Sequence, residues 1–126
     1  MQIGKGDPVL VDQILRRAER LVSDGWCRGM LACDEAGVKT TPETPVASRF
    51  SLEGALLLAG LEATGSRTSP EEDDASHWVI LGIADCFGCW GLEDDFGSVN
   101  DEHSQDEIVE LLEYAAGQAK GQAERG

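Results

Sequence analysis

The sequence predicts a mainly α-helical fold, a compact bundle of about four helices with a small β-hairpin or loop excursion after the first helix. Two observations support this prediction. Apolar residues recur at three- and four-residue spacing near both ends of the chain, which is typical of amphipathic helices. Between them, residues 50–61 are apolar nearly all round, with Glu53 as the single charged residue. A helix of that kind is buried, so we expect it to lie between the other helices.

The first half of the chain predicts one helix, a hairpin and the central helix. Asp7 and Pro8 are suited to the N-cap and first position of a helix that stops at Gly25. Its core stripe is Leu10, Ile14, Leu15, Ala18, Leu21 and Val22. Residues 26–41 then read as a small hairpin or tight loop. We place the start of the central helix at Thr44-Pro45 and its end near Ala63.

The second half predicts two more helices. Residues 64–74 read as a mobile loop, within which Ser69-Pro70 favours helix initiation. A second buried helix is expected over 77–90, followed by an irregular acidic segment over 91–103. Ser104 and Glu107 have the spacing of a capping box at the start of the final helix, whose stripe begins at Ile108. Residues 7–119 form the expected ordered core of a single domain, and 120–126 a frayed tail.

The charge is strongly one-sided. The 126-residue chain has a formal net charge of −14, and residues 68–119 hold fourteen acids with no Lys or Arg. A protein needs Lys and Arg side chains to bind the phosphates of nucleic acid or of an anionic membrane. We therefore expect neither as a direct ligand. No stretch resembles a secretory signal or a transmembrane helix. We therefore expect a cytoplasmic protein with reduced cysteines.

Three short motifs resemble those of a family of small uncharacterised proteins, a domain of unknown function, from actinobacteria and their phages. The first is Trp-x-x-Gly-x-x-Ala-x-Asp-x-x-Gly, matched by Trp26, Gly29, Ala32, Asp34 and Gly37. The second is matched by Ala47, Arg49, Phe50, Gly54, Ala55 and Leu56. The third is Asn100-Asp101 ahead of the final helix. The chain departs from the family at two places. Trp-Cys is common in the family at the position of Phe50-Ser51, and an aromatic residue is common at the position of Val99. The resemblance implies a fold and no known activity.

The cysteines offer an alternative function. Cys86 and Cys89 have the Cys-x-x-Cys spacing of thiol-redox motifs and of half a zinc site. Helix-like residues precede Cys86, whereas redox motifs usually begin a helix. The other candidate zinc ligands are Cys27, Cys33, His77 and His103. We favour the simpler interpretation, buried apolar thiols without a cofactor.

No catalytic motif is present in the sequence, so we do not expect an enzyme. His77 and His103 are candidate general bases without a recognisable nucleophile, and Ser104 is better explained as an N-cap. The acids between 93 and 102 do not fit the EF-hand pattern of calcium ligands. We interpret Asn100-Asp101 as a turn or a helix-capping device.

The acidic half is the best functional lead. We expect a non-enzymatic interaction or regulatory protein whose acidic surface meets a basic partner protein, with a phage-encoded modulator of a host protein as one setting. A narrower alternative is a DNA mimic that inhibits a nucleic-acid-binding protein. The identity of the partner and the oligomeric state stay open. The candidate contact residues are Glu71, Glu72, Asp73, Asp74, Glu93, Asp94, Asp95, Asp101, Glu102, Asp106 and Glu107.

Overall fold

The computed structural model describes residues 7–66, 69–88 and 96–125. These ranges contain five helices and three two-residue strands. In chain order they are α1 (Pro8–Asp24), β1 (Ala32–Cys33), β2 (Lys39–Thr40), β3 (Arg49–Phe50), α2 (Leu52–Thr64), α3 (Pro70–Phe87), α4 (Phe96–Glu102) and α5 (Gln105–Arg125). The predicted mainly helical fold is confirmed. The described residues contain five helices, where the sequence predicts about four.

The four long helices α1, α2, α3 and α5 alternate in direction. The Gln105 side chain donates to the Val22 carbonyl oxygen over 2.8 Å, so α5 begins where α1 ends. The Asp7 amide donates to Glu71 over 3.1 Å, so α1 and α3 begin at the same end. We call this end the far end. The opposite end carries the strands and α4, and we call it the sheet end.

The sheet confirms the predicted hairpin and adds a third strand. β1 lies in the middle and pairs antiparallel with both β2 and β3. On its other side β3 meets the residues that follow α1, because the Phe50 amide donates to the Gly25 carbonyl oxygen over 2.9 Å. The sheet therefore ties the end of α1 to the start of α2.

The predicted start of the central helix at Thr44-Pro45 is wrong. α2 begins at Leu52, and the Ser51 hydroxyl caps it by accepting the Gly54 amide over 3.2 Å. Arg49 and Phe50 are extended because their backbone pairs in the sheet. Periodicity cannot distinguish a short strand that leads into an apolar helix from the helix itself.

The second half also differs from prediction. Residues 70–74, predicted as part of a mobile loop, are the first turns of α3, because the Ser69 hydroxyl caps it by accepting the Glu72 amide. α3 ends at Phe87, with Gly88 as its C-cap, rather than at 90. Part of the segment predicted as irregular forms α4, which buries Val99 and Asn100. α5 continues to Arg125, through most of the tail predicted to fray.

The core is shared by the helices, and α1 is its most central element. α1 packs against α2, α3 and α5, whereas α2 packs mainly against α1 and α3. Leu57, Leu58 and Leu61 of α2 keep partial exposure, so the expected central place of this helix belongs to α1. The largest fully buried apolar side chains are Ile14, Leu15, Val22, Leu52, Leu56, Val79, Ile83, Val99, Ile108, Leu111 and Leu112. Within the described ranges no helix combines the length and apolarity needed to span a membrane.

Gly54 marks the closest approach of α2 to the sheet. A Cβ atom at this position would overlap the carbonyl oxygen of Leu31. That oxygen also accepts the Ser51 amide over 3.0 Å, so it is held in place by the cap of the same helix.

We predict that Gly54→Ala lowers the free energy of unfolding by about 1–3 kcal/mol, because the backbone must separate to admit the methyl group. Urea unfolding measures the change. The matched control is Gly117→Ala on α5, where the added atom meets nothing within 4 Å. Its effect is expected to be neutral or stabilising by up to about 1 kcal/mol. Equal stability of the two variants would contradict the close approach.

Candidate functional site

Asn100 of α4, at the sheet end, is 1% exposed, and its side chain makes four hydrogen bonds with other described residues. Its Oδ1 accepts the Trp26 indole N–H over 2.7 Å and the Leu52 amide over 3.0 Å. Its Nδ2 donates to the Cys27 carbonyl oxygen over 2.9 Å and to Asp101 over 3.3 Å. Both partners of Oδ1 are donors and both partners of Nδ2 are acceptors. The full capacity of the amide is therefore used.

Asn100 also caps a helix, as the sequence suggests, but the capped helix is α2. Leu52 is the first residue of α2, and its amide is one of the N–H groups that a helix leaves without an internal partner. Asn100 satisfies this amide, and Ser51 satisfies that of Gly54. Two side chains from distant parts of the sequence thus close one helix terminus.

Asp101 and Arg28 fasten the loop after α1 to α4. The Gly29 amide donates to Asp101 Oδ1 over 2.9 Å, and Gly29 has a φ of +74°, which favours glycine. The guanidinium of Arg28 lies 4.6 Å from the centre of the Trp26 ring and donates to the His103 carbonyl oxygen over 2.9 Å. Two hydrogen bonds therefore join the loop to α4 and the residue that follows it, and a cation–π contact within the loop holds the Arg28 side chain.

The candidate base His103 is held by structural contacts. Its Nδ1 lies 2.8 Å from the Val99 carbonyl oxygen, and its ring stacks on Phe87 with centroids 3.9 Å apart. Ser104 and Glu107 next to it form the predicted capping box, with each side chain bonded to the backbone amide of the other. The amide of Ser104 lowers the pKa of the Glu107 carboxyl.

The thiols lie in different environments. Cys27 is half-buried, and burial followed by the neighbouring Cys33 thiol raises its pKa to about 12. Cys33 is buried in β1. Cys86 is exposed near the end of α3, so the prediction of buried cysteines is wrong for this residue. Its limited burial and the charge of Asp85 raise its pKa. Cys89 lies outside the described residues. The described part of the chain brings no three His, Cys, Asp or Glu side chains together in a way that could hold a metal ion.

The predicted acidic contact residues fall into two separate groups. Glu71, Glu72, Asp73 and Asp74 lie in the first turns of α3 at the far end. Asp101, Glu102, Asp106 and Glu107 lie on α4 and α5 at the sheet end. α3 has 18 residues and spans about 27 Å between these ends. Glu93, Asp94 and Asp95 lie outside the described residues. One continuous surface of the other eight acids is not formed.

The far-end group is largely engaged within the fold. Glu71 accepts the Asp7 amide. Glu72 packs against Gly60 and accepts the Ser76 hydroxyl, and burial raises its pKa. Asp74 is 7% exposed. Acids in the first turn of a helix also stabilise it by interaction with the helix dipole, so this group has a structural role.

The sheet-end group is more open. Glu102 and Asp106 are exposed and take part in no hydrogen bond or ion pair with another described residue. Asp101 and Glu107 are exposed too, although each also accepts a backbone amide. Sequence reasoning passed over two further exposed acids, Glu110 and Glu113, that continue from Asp106 along α5. Glu110 and Glu113 follow Asp106 by four and seven residues, a spacing that places all three on one side of a helix.

A comparison with protein families identifies the chain's relatives. Family DUF6197, described as a family of unknown function, matches residues 7–118. The chain belongs to this family. The match extends from the cap of α1 well into α5 and so includes every element of the fold. No curated protein and no solved structure shows significant similarity to the chain.

Several residues that carry the motif resemblance make contacts that shape the fold of this chain. Trp26 and Gly29 bind the Asn100-Asp101 pair. Asp34 Oδ1 accepts the amides of Ala36 and Val38 and so shapes the turn between β1 and β2. These motif residues therefore specify the sheet end of the bundle.

We predict that Asn100→Ala lowers the free energy of unfolding by about 2–5 kcal/mol, because it leaves two buried donors and one acceptor without their partner. Chemical denaturation followed by far-UV circular dichroism measures the loss. Glu102→Ala, two residues further on an exposed part of α4, is the control and is expected to change stability by less than about 0.5 kcal/mol. A loss below 1 kcal/mol for Asn100→Ala would contradict the assigned network.

We also predict that the native thiols react in a fixed order. With a pKa of about 12, Cys27 holds almost no thiolate at pH 8. Mass spectrometry after brief alkylation is expected to find Cys86 modified well before Cys27 and Cys33. The same reaction in urea serves as control and should remove the difference between these three. Equal native rates at Cys27 and Cys86 would contradict the burial described here.

Proposed function

We propose that the chain is a non-enzymatic interaction protein that presents the acidic sheet-end surface to a basic partner protein. We define this surface by Asp101, Glu102, Asp106 and Glu107. The supporting observation is that four exposed carboxylates lie on two consecutive helices in a stretch of 52 residues, 68–119, that contains no Lys or Arg. Such a field attracts a basic surface and repels an acidic one.

The scaffold below this surface supports the proposal. Asn100 is buried directly before Asp101 and bonded to the loop after α1 and to α2. Gly29 holds Asp101, and Ser104 holds Glu107. These two carboxylates are thus positioned before a partner arrives, which lowers the entropic cost of binding. Arg28 is a nearby cation, and its charge lies against the Trp26 ring.

The motif resemblance to proteins of actinobacteria and their phages suggests the class of partner. In that setting, the proposed role of the chain is that of a phage-encoded modulator of a host protein. A narrower form of the proposal is mimicry of DNA, in which the partner's DNA-binding groove is the target. Competition by duplex DNA for the bound partner distinguishes the two forms.

The test compares two double variants with the same change in charge. Glu102→Lys/Asp106→Lys reverses the sheet-end surface, and Asp73→Lys/Glu124→Lys reverses exposed acids elsewhere in the chain. Each chain is immobilised and exposed to cell extract at low ionic strength. We expect basic proteins retained by the wild type to be lost from the first variant and kept by the second.

The salt dependence provides a second readout. At 1 M salt the Debye length falls to about 3 Å, so partner release from the wild type is expected. Binding that survives reversal of Glu102 and Asp106, or that ignores ionic strength, would overturn the proposal.

A further inference from the structure

The outward face of α1 carries exposed cations beside the acids of α5. Arg16 and Arg20 lie one turn apart and, with Glu19 and Ser23, line an open groove of about 320 Å³. Arg16 is bound to Asp12 at 3.0 Å. Arg20 is exposed and makes no hydrogen bond or ion pair with another described residue. The groove therefore contains one cation, Arg20, that forms no ion pair with another described residue.

The neighbouring face of α5 carries unneutralised acids. Glu110 and Glu113 are both exposed, and the charge of Glu113 reaches Glu19 across the junction of the two helices. The pKa of Glu19 is raised by burial and then by Glu113. Negative charge therefore accumulates where α1 adjoins α5, and a cation supplied from outside would be favoured there.

The register between α1 and α5 follows from one hydrogen bond. The Gln105 side chain donates to the Val22 carbonyl oxygen over 2.8 Å, which places these two residues at about the same level. The helices are antiparallel and each rises 1.5 Å per residue. Counted from this contact, Arg20 is level with Glu107 and lies within one turn of Glu110, and Arg16 is level with Leu111 and lies within one turn of Glu113.

We propose that two copies of the chain associate through this face, about a two-fold axis that runs parallel to α1 and α5. Such an axis places α1 of one copy opposite α5 of the other. The rotation does not change the position of any residue along the axis. Arg20 then faces Glu110 of the second copy, and Arg16 faces its Glu113. The two-fold repeats both pairs, so one patch is complementary to itself, as a symmetric dimer requires.

An exposed apolar residue on the same face fits this partner. Val9 is 63% exposed and precedes Arg16 by seven residues and Arg20 by eleven, so the three share one side of α1. Burial against a second copy would remove its side chain from water. Ion pairs between exposed side chains are weak on their own, and this apolar contribution adds to them.

The proposal is independent of the function proposed above. It uses residues other than the four that define the sheet-end surface, and its test requires the purified chain alone. Each copy carries a formal charge of −14, so long-range repulsion opposes association and is itself screened by salt. A salt series alone is therefore not decisive, and reversal of individual charges is needed.

Sedimentation velocity of full-length variants tests the pairing. The wild type is expected to show a concentration-dependent dimer. Arg20→Glu and Glu110→Lys, studied separately, are each expected to weaken it about tenfold or more, because each places like charges opposite one another. In an equimolar mixture of the two variants the introduced Glu faces the introduced Lys, and the second site keeps its native pair. We expect dimers to return in the mixture.

Two controls separate pairing from net charge. Lys39→Glu and Glu35→Lys make the same changes in charge on exposed residues of the hairpin, and their dimers are expected to match the wild type. Far-UV circular dichroism confirms the fold of every variant. A monomeric wild type, a dimer indifferent to both reversals, or a mixture that stays monomeric would each overturn the proposal.

Discussion

The structure depends on one buried amide. Asn100 joins three segments, namely the loop after α1, the first turn of α2, and α4. A buried amide is costly unless every one of its hydrogen-bonding atoms is satisfied. The network therefore favours one packing of these segments over others. An alternative packing that moved one partner away would leave a buried hydrogen-bonding atom of the amide unsatisfied, at a cost in free energy. Hydrophobic burial drives the helices together, and Asn100 determines how the sheet end closes over them.

The sequence was sufficient to predict features that depend on residues close together in the chain. Asp7, Ser69 and Ser104 cap helices as predicted, because an N-cap and its partner amide lie within three residues. The sequence was insufficient to predict contacts between residues that are far apart in the chain. Asn100 bonds to residues 48 to 74 positions away, and Arg49 and Phe50 become a strand only because Ala32 and Cys33 are available to pair. The motif resemblance picked out Trp26 and Asn100, but nothing in the chain alone indicates that they touch.

The fold gives the acidic residues different roles. At the far end Glu71 and Glu72 are engaged with backbone or neighbouring side chains, as acids near helix N-termini often are. At the sheet end Glu102 and Asp106 stay open to solvent. A charge count treats these residues alike, whereas the geometry separates acids that stabilise the fold from acids that are available to a partner. The proposed surface is small for this reason, and it lies directly over the Asn100 network.

Native-state hydrogen exchange tests the central role of Asn100 most directly, because it follows the hydrogen-bonded protons without altering the chain. The Trp26 indole proton and the Leu52 amide proton both bind Asn100 Oδ1. If this contact closes the fold, both protons exchange only when the domain unfolds, with an opening free energy close to the global value. Exchange of either proton at a rate typical of exposed groups, in a chain whose α1 core amides stay protected, would contradict the account.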